Sequence, residues 1–411
     1  MSILSRVSEA LNPRHLAVQW TREGRVSGLL RAILHELPTD SDGTVALEVD
    51  GQAMFEAPFR ADADGKANLT IHTHLLQNGP RKLRVRTRHG DDARATSIEV
   101  RVDNDGALAA KVREALSAQG VPLAFLGDCD ASYYADAGLK SWVDAPDAAE
   151  RVEAMLADGR IDASEAGMLL RFLRDGFVIL DQALPEAMLS AADSALDDAV
   201  AAGYQGYELG SSQRLEQMHV AYPAIRDIWL HAPVHRFLSL VFDAPSQPCQ
   251  SLVYVFGSQQ DAHQDTIHLT PFPAGQMCGV WFALEDVREG SGELMVYPGS
   301  HRFPRVYMKD VGAAKVRNGD WSEFGEKVVG RWAQLLGESG IQPMPYMARR
   351  GDILVWHENL MHAGSIRRDK SLSRRSVVTH NFASGAVVYY DSSGDVGYVH
   401  DQVALNDRRA E

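Results

Sequence analysis

Three side chains in the second half of the sequence can together bind a metal ion. His263 and Asp265 form an H-x-D pair shortly after the β-rich run Ser251–Phe256, and His362 follows far downstream in H-E-N-L-M-H. On an extended segment, the side chains of residues i and i+2 leave from the same face. Two imidazoles and one carboxylate suit non-haem Fe(II), because they leave positions free for a co-substrate and for O₂. We therefore expect an iron site whose third ligand comes from a distant strand.

A serine and an arginine follow the last of these residues. Ser365 comes first, and Arg374 then opens the strand-like run R-R-S-V-V-T-H-N-F. A guanidinium group is a planar fork that captures a carboxylate through two hydrogen bonds. This is the kind of group that 2-oxoglutarate requires of its site, so the residues favour this keto acid as the co-substrate.

These residues lie within a longer series of motifs. In order along the chain, the motifs are H-Q-D-T-I-H-L-T-P-F-P, C-G-V-W-F-A-L-E-D, G-S-G-E-L-M-V-Y-P-G-S-H-R, G-D-I-L-V-W-H and H-A-G-S…R. The series resembles the phytanoyl-CoA dioxygenase family, which comprises Fe(II)- and 2-oxoglutarate-dependent oxygenases on a double-stranded β-helix. The resemblance covers Ala163 to Ser392.

The resemblance implies a role for each matching residue. The implied iron ligands are His263, Asp265 and His362, the implied carboxylate holders for 2-oxoglutarate are Arg374 and Ser365, and Trp281 is implied as a wall of that pocket. The chain departs from the family at H-A-G-S, which is one residue longer than the family's H-G-S. The spacing from serine to arginine is the family's, so we place the extra residue between His362 and Ser365. Arg375 would face the other side of the strand, and Arg374 is therefore preferred.

The carboxylate of Asp265 bears on the type of reaction. Sites in which this position is Ala or Gly open a place for halide, so Asp265 favours hydroxylation over halogenation. The resemblance implies that 2-oxoglutarate and O₂ are converted to succinate and CO₂ while an unactivated C–H bond is hydroxylated. Desaturation, epimerisation and ring chemistry use the same site and stay open.

Composition and charge narrow the class of protein. The chain has 411 residues, of which 45% are hydrophobic and 23% charged, as in ordinary soluble globular proteins. A formal net charge of −14 argues against a general nucleic-acid or anionic-membrane surface. Three widely spaced cysteines predict reduced thiols. Because no apolar leader or membrane-span pattern is present, we expect a cytoplasmic location.

The rest of the chain divides into three predicted regions. Residues 1–103 consist of short alternating runs separated by turn sequences and predict an immunoglobulin-like β-sandwich. Residues 104–160 have helical spacing and are interpreted as a helical connector or, equally, as an extension packed on the catalytic domain. Residues 161–411 predict a mainly β, cupin-like jelly-roll with flanking helices, in which Asp162 or Ser164 caps the first helix. Within the sandwich, His72 and His74 are expected on a solvated strand face.

Two features bear on the substrate. The polar and aromatic stretch Tyr204–Tyr222 is expected to help line a substrate entrance. A set of basic residues is expected to border the site, either as a solvated rim or as a receiver of an anionic carrier such as a nucleotide-sugar or an acyl-CoA: Arg302, Arg305, Lys309, Arg349, Arg350, Arg367, Arg368 and Lys370. Acyl and glycan-linked substrates both stay open, and the sequence does not predict an oligomeric state.

Two further functions compete with catalysis. The chain can be a scaffold whose sandwich docks a partner and whose jelly-roll is idle, or a cupin-like protein that binds zinc, since the same ligands accept that ion. The complete set of three metal ligands and Arg374 favours the enzyme.

Overall fold

The computed structural model describes residues 13–134 and 138–399 and divides into two compact units. The first unit comprises the described residues up to Leu139 together with Gly385–Gly397. The second unit comprises Lys140–Ser384 and the described residues from Tyr398 onward. The amino-terminal segment, on which the predicted location partly depends, lies outside the described residues.

The first unit is a β-sandwich. Its strands are β1 (Arg14–His15), β2 (Val18–Trp20), β3 (Gly24–Val26), β4 (Leu29–Leu34), β5 (Gly43–Val49), β6 (Gln52–Phe59), β7 (Ala67–His72), β8 (Gly79–His89), β9 (Asp92–Val102) and β10 (Ala124–Leu126). One sheet has the order β1-β9-β8-β5-β6, with β3 also on β9, and the other has the order β10-β7-β4-β2. Alternate residues such as Leu30, Leu47 and Val85 point inward and form one shared core. The predicted sandwich is present, and its immunoglobulin-like character stays a prediction.

The prediction that His72 and His74 lie on a solvated face is wrong. Both side chains are buried. The ring of His72 contacts the carbonyl of Pro122 and the hydroxyl of Tyr134, each at 3.0 Å, and the Nε2 of His74 lies 2.9 Å from the carbonyl of Gly385. Burial lowers the pKa of each imidazole to about 4, so both rings are neutral at pH 7. Their partners come from other segments, which the alternation of a single strand does not reveal.

The predicted connector over residues 104–160 is split between the two units. Helix α1 (Ala107–Ala118) belongs to the first unit and buries Leu108, Val112 and Leu116. Helix α2 (Ala148–Ala157) belongs to the second unit, where it packs on helix α3 (Ala163–Asp175). Each helix has an apolar face that needs a nearby core, and each core lies within its own unit.

Helices flank the second unit. After α2 and α3 they are α4 (Glu186–Ala201), α5 (Met218–Ala221), α6 (Pro223–Trp229), α7 (Ala232–Phe242) and α8 (Gly330–Ser339), the last preceded by a π-helix at Phe324–Val329. Helix α3 begins at a capping box, in which the Asp162 side chain accepts from the Glu165 backbone and the Glu165 side chain accepts from the Asp162 backbone. It ends at Gly176, whose φ of 82° is the left-handed conformation that glycine adopts without strain.

Two sheets of the second unit form the jelly-roll. The strands of this unit are β11 (Phe177–Leu180), β12 (Leu215–Glu216), β13 (Ser246–Tyr254), β14 (Thr270–Phe272), β15 (Met277–Ala283), β16 (Leu294–Val296), β17 (Met344–Tyr346), β18 (Ile353–His357), β19 (His362–Gly364) and β20 (Ser376–Ala383), of which β14 belongs to neither of the two sheets. The larger sheet has the order β11-β18-β15-β20-β13-β12, and the smaller has the order β17-β16-β19. Trp281, Leu354 and Trp356 of the larger sheet meet Val296 and Tyr346 of the smaller one in a common core. The predicted jelly-roll is thus confirmed.

The chain then returns to the first unit. Strands β21 (Val387–Tyr390) and β22 (Asp395–Val396) pair antiparallel there. The buried guanidinium of Arg31 donates to the carbonyl of Gly394 at 2.7 Å and to Asp395 at 3.1 Å. In the described part of the chain, none of the helices combines the length and the apolar character that a membrane span requires.

The capping box gives a prediction about stability. Asp162→Ala should lower the free energy of unfolding of the second unit by about 1 kcal/mol, because the first turn of α3 loses its acceptor. Urea unfolding followed by tryptophan fluorescence reports on this unit, since apart from Trp20 the tryptophans lie within it. Ser164→Ala is the control and should have little effect. A larger loss for Ser164→Ala would make that serine the cap.

Candidate metal centre

His263 and His362 face each other across a short backbone bridge. The amide of His263 donates to the carbonyl of His362 at 3.0 Å, and the amide of His362 donates back at 3.2 Å. Gln264 is extended, and Asp265 opens a 3-10 turn, Asp265–Ile267. The H-x-D pair therefore presents both side chains on one side, as predicted, and the bridge brings the distant histidine beside them.

The three side chains converge on one point. Their ligand atoms all lie within 4.8 Å of one another, and all three residues are buried. The Nε2 atoms of His263 and His362 lie 3.6 and 3.7 Å from the Oδ1 of Asp265. No second cluster of this kind, with three or more His, Cys, Asp or Glu ligands, occurs among residues 13–134 and 138–399.

The two imidazoles are held in the tautomer that binds a metal through Nε2. The Nδ1 of His263 lies 2.7 Å from the carbonyl of Asp261, and the Nδ1 of His362 lies 3.0 Å from the carbonyl of Leu360. A carbonyl only accepts, so each Nδ1 carries the proton and each Nε2 keeps its lone pair. Burial, helped by the charge of His263, lowers the pKa of His362 to about 4, so that ring is neutral at pH 7.

The second oxygen of Asp265 is held from the opposite side. The indole of Trp356 donates to its Oδ2 at 2.8 Å, and the Nε2 of His380 lies 3.5 Å from the same atom. The Gln250 amide donates to the Nδ1 of His380 at 2.9 Å, which places the ring proton on Nε2, facing Asp265. Burial alone would raise the pKa of Asp265, but the surrounding imidazoles outweigh burial and hold it well below its usual range. Asp265 is therefore a carboxylate at neutral pH.

A buried charged network supports the metal loop from behind. The carbonyl of Glu358 accepts from the amides of Asp265 and Thr266 at 3.0 and 3.2 Å. The carboxylate of Glu358 accepts from Arg305 at 2.8 Å, and Arg305 also donates to Asp144 at 2.8 Å. The Nε2 of His357 lies 3.4 Å from the same Asp144 carboxylate. The network fixes the position of the loop without contacting the three ligand atoms.

Gln264, between the first two ligands, is tied to the insertion that carries α8. Its side-chain oxygen accepts from the Trp332 indole at 2.9 Å, and its amide donates to the carbonyl of Pro304 at 3.2 Å. Ile267 and Met361 pack in the same apolar cluster as Trp332. The motifs contain several of these supporting residues, but neither residue type nor spacing distinguishes them from ordinary strand residues.

Arg374 is buried and makes no ion pair, although the buried Glu293 carboxylate lies close enough to raise its pKa. One of its terminal nitrogens donates to the carbonyl of Gly292 at 2.8 Å, its Nε has no hydrogen-bond partner, and no carboxylate of the described residues lies within 4.0 Å. The guanidinium lies 5.8 Å from the ring centre of Trp281 and 6.0 Å from that of Tyr254. Burial lowers the pKa of Arg374 to about 10, which leaves it charged at pH 7. An unpaired buried cation favours an anionic ligand.

The neighbouring predicted residues lie as follows. Arg375 points away and binds Asp197 at 2.7 Å, so the choice of Arg374 agrees with the geometry. Ser365 donates its hydroxyl to Glu293, the residue after the Gly292 carbonyl that holds Arg374. Ser365 and Arg374 therefore contact adjacent residues, Glu293 and Gly292.

Half of the predicted basic rim is neutralised by carboxylates, whereas Arg302, Lys309, Arg367 and Lys370 make no ion pair among the described residues. The ion pairs are Arg305 with Asp144 and Glu358, Arg349 with Asp181, Arg350 with Glu186 and Asp193, and Arg368 with Glu289. Arg367 is buried, stacks 3.6 Å from the ring centre of Phe256 and donates to the carbonyl of Leu372. For the four paired arginines, these partners are distant in sequence and leave little free charge for an anionic carrier.

Comparison of the sequence with models of known protein families identifies the family of this chain. The sequence model of the phytanoyl-CoA dioxygenase (PhyH) family matches residues 172–376, a range that includes the three ligand residues and Arg374. Over these residues, the chain belongs to the phytanoyl-CoA dioxygenase family. This confirms the family predicted from the motifs, and that family's cofactors are Fe(II), 2-oxoglutarate and O₂.

A curated relative and two solved structures show how far the similarity extends. The phytanoyl-CoA dioxygenase domain-containing protein 1 of Mus musculus is 27% identical over 168 residues, which are 40% of this chain and 50% of that protein. The chain thus spans about half the length of the curated relatives it matches. The non-heme alpha ketoglutarate dependent epimerase SnoN from nogalamycin biosynthesis is 16% identical with a TM-score of 0.41, over 55% of this chain and 84% of that one. EctD from S. alaskensis with bound Fe is 18% identical with a TM-score of 0.42, over 54% and 77%.

The support of Asp265 by Trp356 can be tested through metal affinity. Trp356→Phe keeps the ring but removes the N–H that orients the carboxylate, and it should weaken Fe(II) binding about 10- to 100-fold. The measurement is anaerobic titration of the metal-free protein with Fe(II). Trp142→Phe is a matched control, because the indole nitrogen of Trp142 is buried without a hydrogen-bond partner. Equal affinities for the two variants would contradict the role given to Trp356.

Proposed function

We propose that this chain is an Fe(II)- and 2-oxoglutarate-dependent dioxygenase that hydroxylates an unactivated C–H bond of a small-molecule, acyl or glycan-linked substrate. The co-products are succinate and CO₂. The observation that carries the proposal is the convergence of His263, Asp265 and His362. The same jelly-roll contains Arg374, a buried arginine that makes no ion pair. Iron ligation and co-substrate capture need these two features together.

The chain's own residues prepare the metal site. His263 and His362 present lone pairs at Nε2, because backbone carbonyls hold their Nδ1 protons. Trp356 and His380 hold one oxygen of Asp265, and the other oxygen faces the two imidazoles. A bound Fe(II) would supply the redox chemistry that activates O₂. Two neutral nitrogens and one carboxylate oxygen fit this ion and leave coordination positions for other ligands.

Arg374 would bind the distal carboxylate of 2-oxoglutarate. Its guanidinium is charged and buried and makes no ion pair with the described residues, so an incoming carboxylate would complete its pairing. Trp281 and Tyr254 border the guanidinium and exclude water from the ion pair. Ser365 would add a hydrogen bond once its hydroxyl turns from Glu293.

Hydroxylation is the outcome that the ligand set favours. Asp265 fills the position that a halide would need, so the site has no place for halogenation. The idle scaffold is disfavoured because a buried, unpaired Arg374 lowers stability and gives a scaffold no benefit.

Removal of the carboxylate ligand tests the metal assignment. Asp265→Ala should reduce Fe(II) affinity by at least about tenfold and abolish succinate formation, because the site keeps two neutral ligands only. The assay combines Fe(II) titration with chromatographic quantification of succinate. Asp261→Ala is the matched control, since Asp261 is exposed and contributes its backbone carbonyl. Normal iron binding in Asp265→Ala, or succinate formation by zinc-loaded protein, would overturn the assignment.

A lysine substitution tests the co-substrate site. Arg374→Lys keeps the charge and loses the fork, so the KM for 2-oxoglutarate should rise about tenfold, equivalent to roughly 1.4 kcal/mol of binding free energy. Arg375→Lys is the control, because Arg375 faces Asp193 and Asp197 instead. A larger rise for Arg375→Lys would place the co-substrate on the opposite side of the strand.

A further inference from the structure

The second unit contains a polar cleft of about 670 Å³ that the proposed iron and 2-oxoglutarate sites do not use. This volume lies within the range of small-molecule sites, which is roughly 300–1,000 Å³. Such sites are usually lined by apolar and aromatic side chains. Here the lining consists of three glutamines, two serines, an arginine, a glutamate and Tyr254. The departure from an apolar lining points to an unusually polar ligand.

The cleft is lined by residues from the segments that carry the proposed active site. Tyr254 lines the cleft, and its ring centre lies 6.0 Å from the guanidinium of Arg374. Gln260 lines it too, and its carbonyl accepts from the amide of Gly364, two residues after His362. The next residue, Asp261, holds the Nδ1 of His263 through its carbonyl. A molecule in the cleft would therefore be bordered by the segments that carry both histidines.

The charges that face the cleft cancel each other. Arg214 and Glu216 form an ion pair at 2.8 Å, so neither is a free partner for a charged ligand. A nucleotide or a coenzyme A group would therefore find little uncompensated positive charge here. A neutral ligand is favoured.

The remaining polar groups offer donors and acceptors together. The side-chain amide of Gln260 makes no hydrogen bond to the described residues, and the oxygen of Gln213 is likewise without a partner among them. The hydroxyl of Ser258 accepts from the Gln260 backbone and keeps its own proton to donate. Hydroxyl groups of a ligand both donate and accept, so they match amides and a serine, whereas an acyl chain offers these groups no hydrogen bond.

We propose that this cleft binds the primary substrate and that the substrate is a neutral, polyhydroxylated ring compound of the sugar or cyclitol class. The proposal rests on the proposed function, since it names the molecule whose C–H bond is hydroxylated. Gln260, Gln213 and Ser258 bind hydroxyl groups, and Tyr254 packs on the carbon face of the ring. The residues around 204–216 that supply much of the lining belong to the stretch predicted to line a substrate entrance.

The test compares neutral polyols with anionic and acyl probes. The full-length Fe(II)-loaded protein is assayed for succinate with and without myo-inositol, methyl hexopyranosides, UDP-glucose or octanoyl-CoA. One or more neutral polyols should raise succinate formation above the rate without substrate in a saturable manner. UDP-glucose and octanoyl-CoA should not. Stimulation by either of these two in place of the polyols, or by none of the probes, would overturn the substrate class.

A glutamine variant ties the effect to the cleft. Gln260→Leu should raise the polyol concentration for half-maximal stimulation about tenfold, as expected for lost hydrogen bonds worth roughly 1.4 kcal/mol. Gln52→Leu is the matched control on an exposed glutamine of the first unit and should change nothing. Equal responses of the two variants would exclude the cleft.

Direct binding separates the two proposals. Calorimetric titration of the metal-free protein with the stimulating polyol should show the same dependence on Gln260 without any turnover. If succinate never forms, the proposed function fails. Calorimetry still decides whether the cleft binds polyols, because Gln260→Leu should then weaken the measured binding. If succinate forms without substrate but polyols neither bind nor stimulate, the substrate class fails while the proposed function stands.

Discussion

Two backbone hydrogen bonds between His263 and His362 hold the site together. His362 opens β19 in the smaller sheet, whereas His263 follows β13 of the larger sheet. The bridge therefore joins the ends of the two sheets at the point where three ligand atoms must meet. The carbonyl of Glu358 accepts from the amides of Asp265 and Thr266, so the carboxylate of Asp265 has little freedom to move. These backbone hydrogen bonds hold the Nε2 atoms of the two histidines in a defined geometry before any metal binds.

The cations of the second unit differ in how they are neutralised. Arg305, Arg349, Arg350 and Arg368 are each paired with carboxylates, as expected in an acidic protein that needs few free cations on its surface. Arg374 is buried and has no such partner. A buried cation without an ion pair lowers stability, which is the basis for proposing that Arg374 binds an anionic ligand. Its neighbour Arg375, by contrast, is paired with Asp197.

The sequence predicted the candidate site better than the packing around it. His263, Asp265, His362 and Arg374 occur in motifs of fixed order and spacing, which marked them as candidates, and the jelly-roll followed from the same motifs. Trp356 and His380, which hold Asp265, look like ordinary strand residues, because their role depends on pairing between β15, β18 and β20. The burial of His72 and His74 was missed for the same reason. Long side chains such as Arg305 pair with carboxylates that are distant in sequence. The number of free positive charges around the site could therefore not be predicted from the sequence.

The second unit begins upstream of the family match, and the additional segment contains Asp144. The match begins at residue 172, but Asp144 lies upstream of it and shares Arg305 with Glu358. If the chain were shortened to start at Ser164, Arg305 would lose one of its two carboxylates, and the loop that Glu358 supports would lose part of its anchorage. A truncated protein that keeps this support must therefore begin near Lys140. A truncation at the first residue of the family match would remove Asp144, which lies outside the family's motifs.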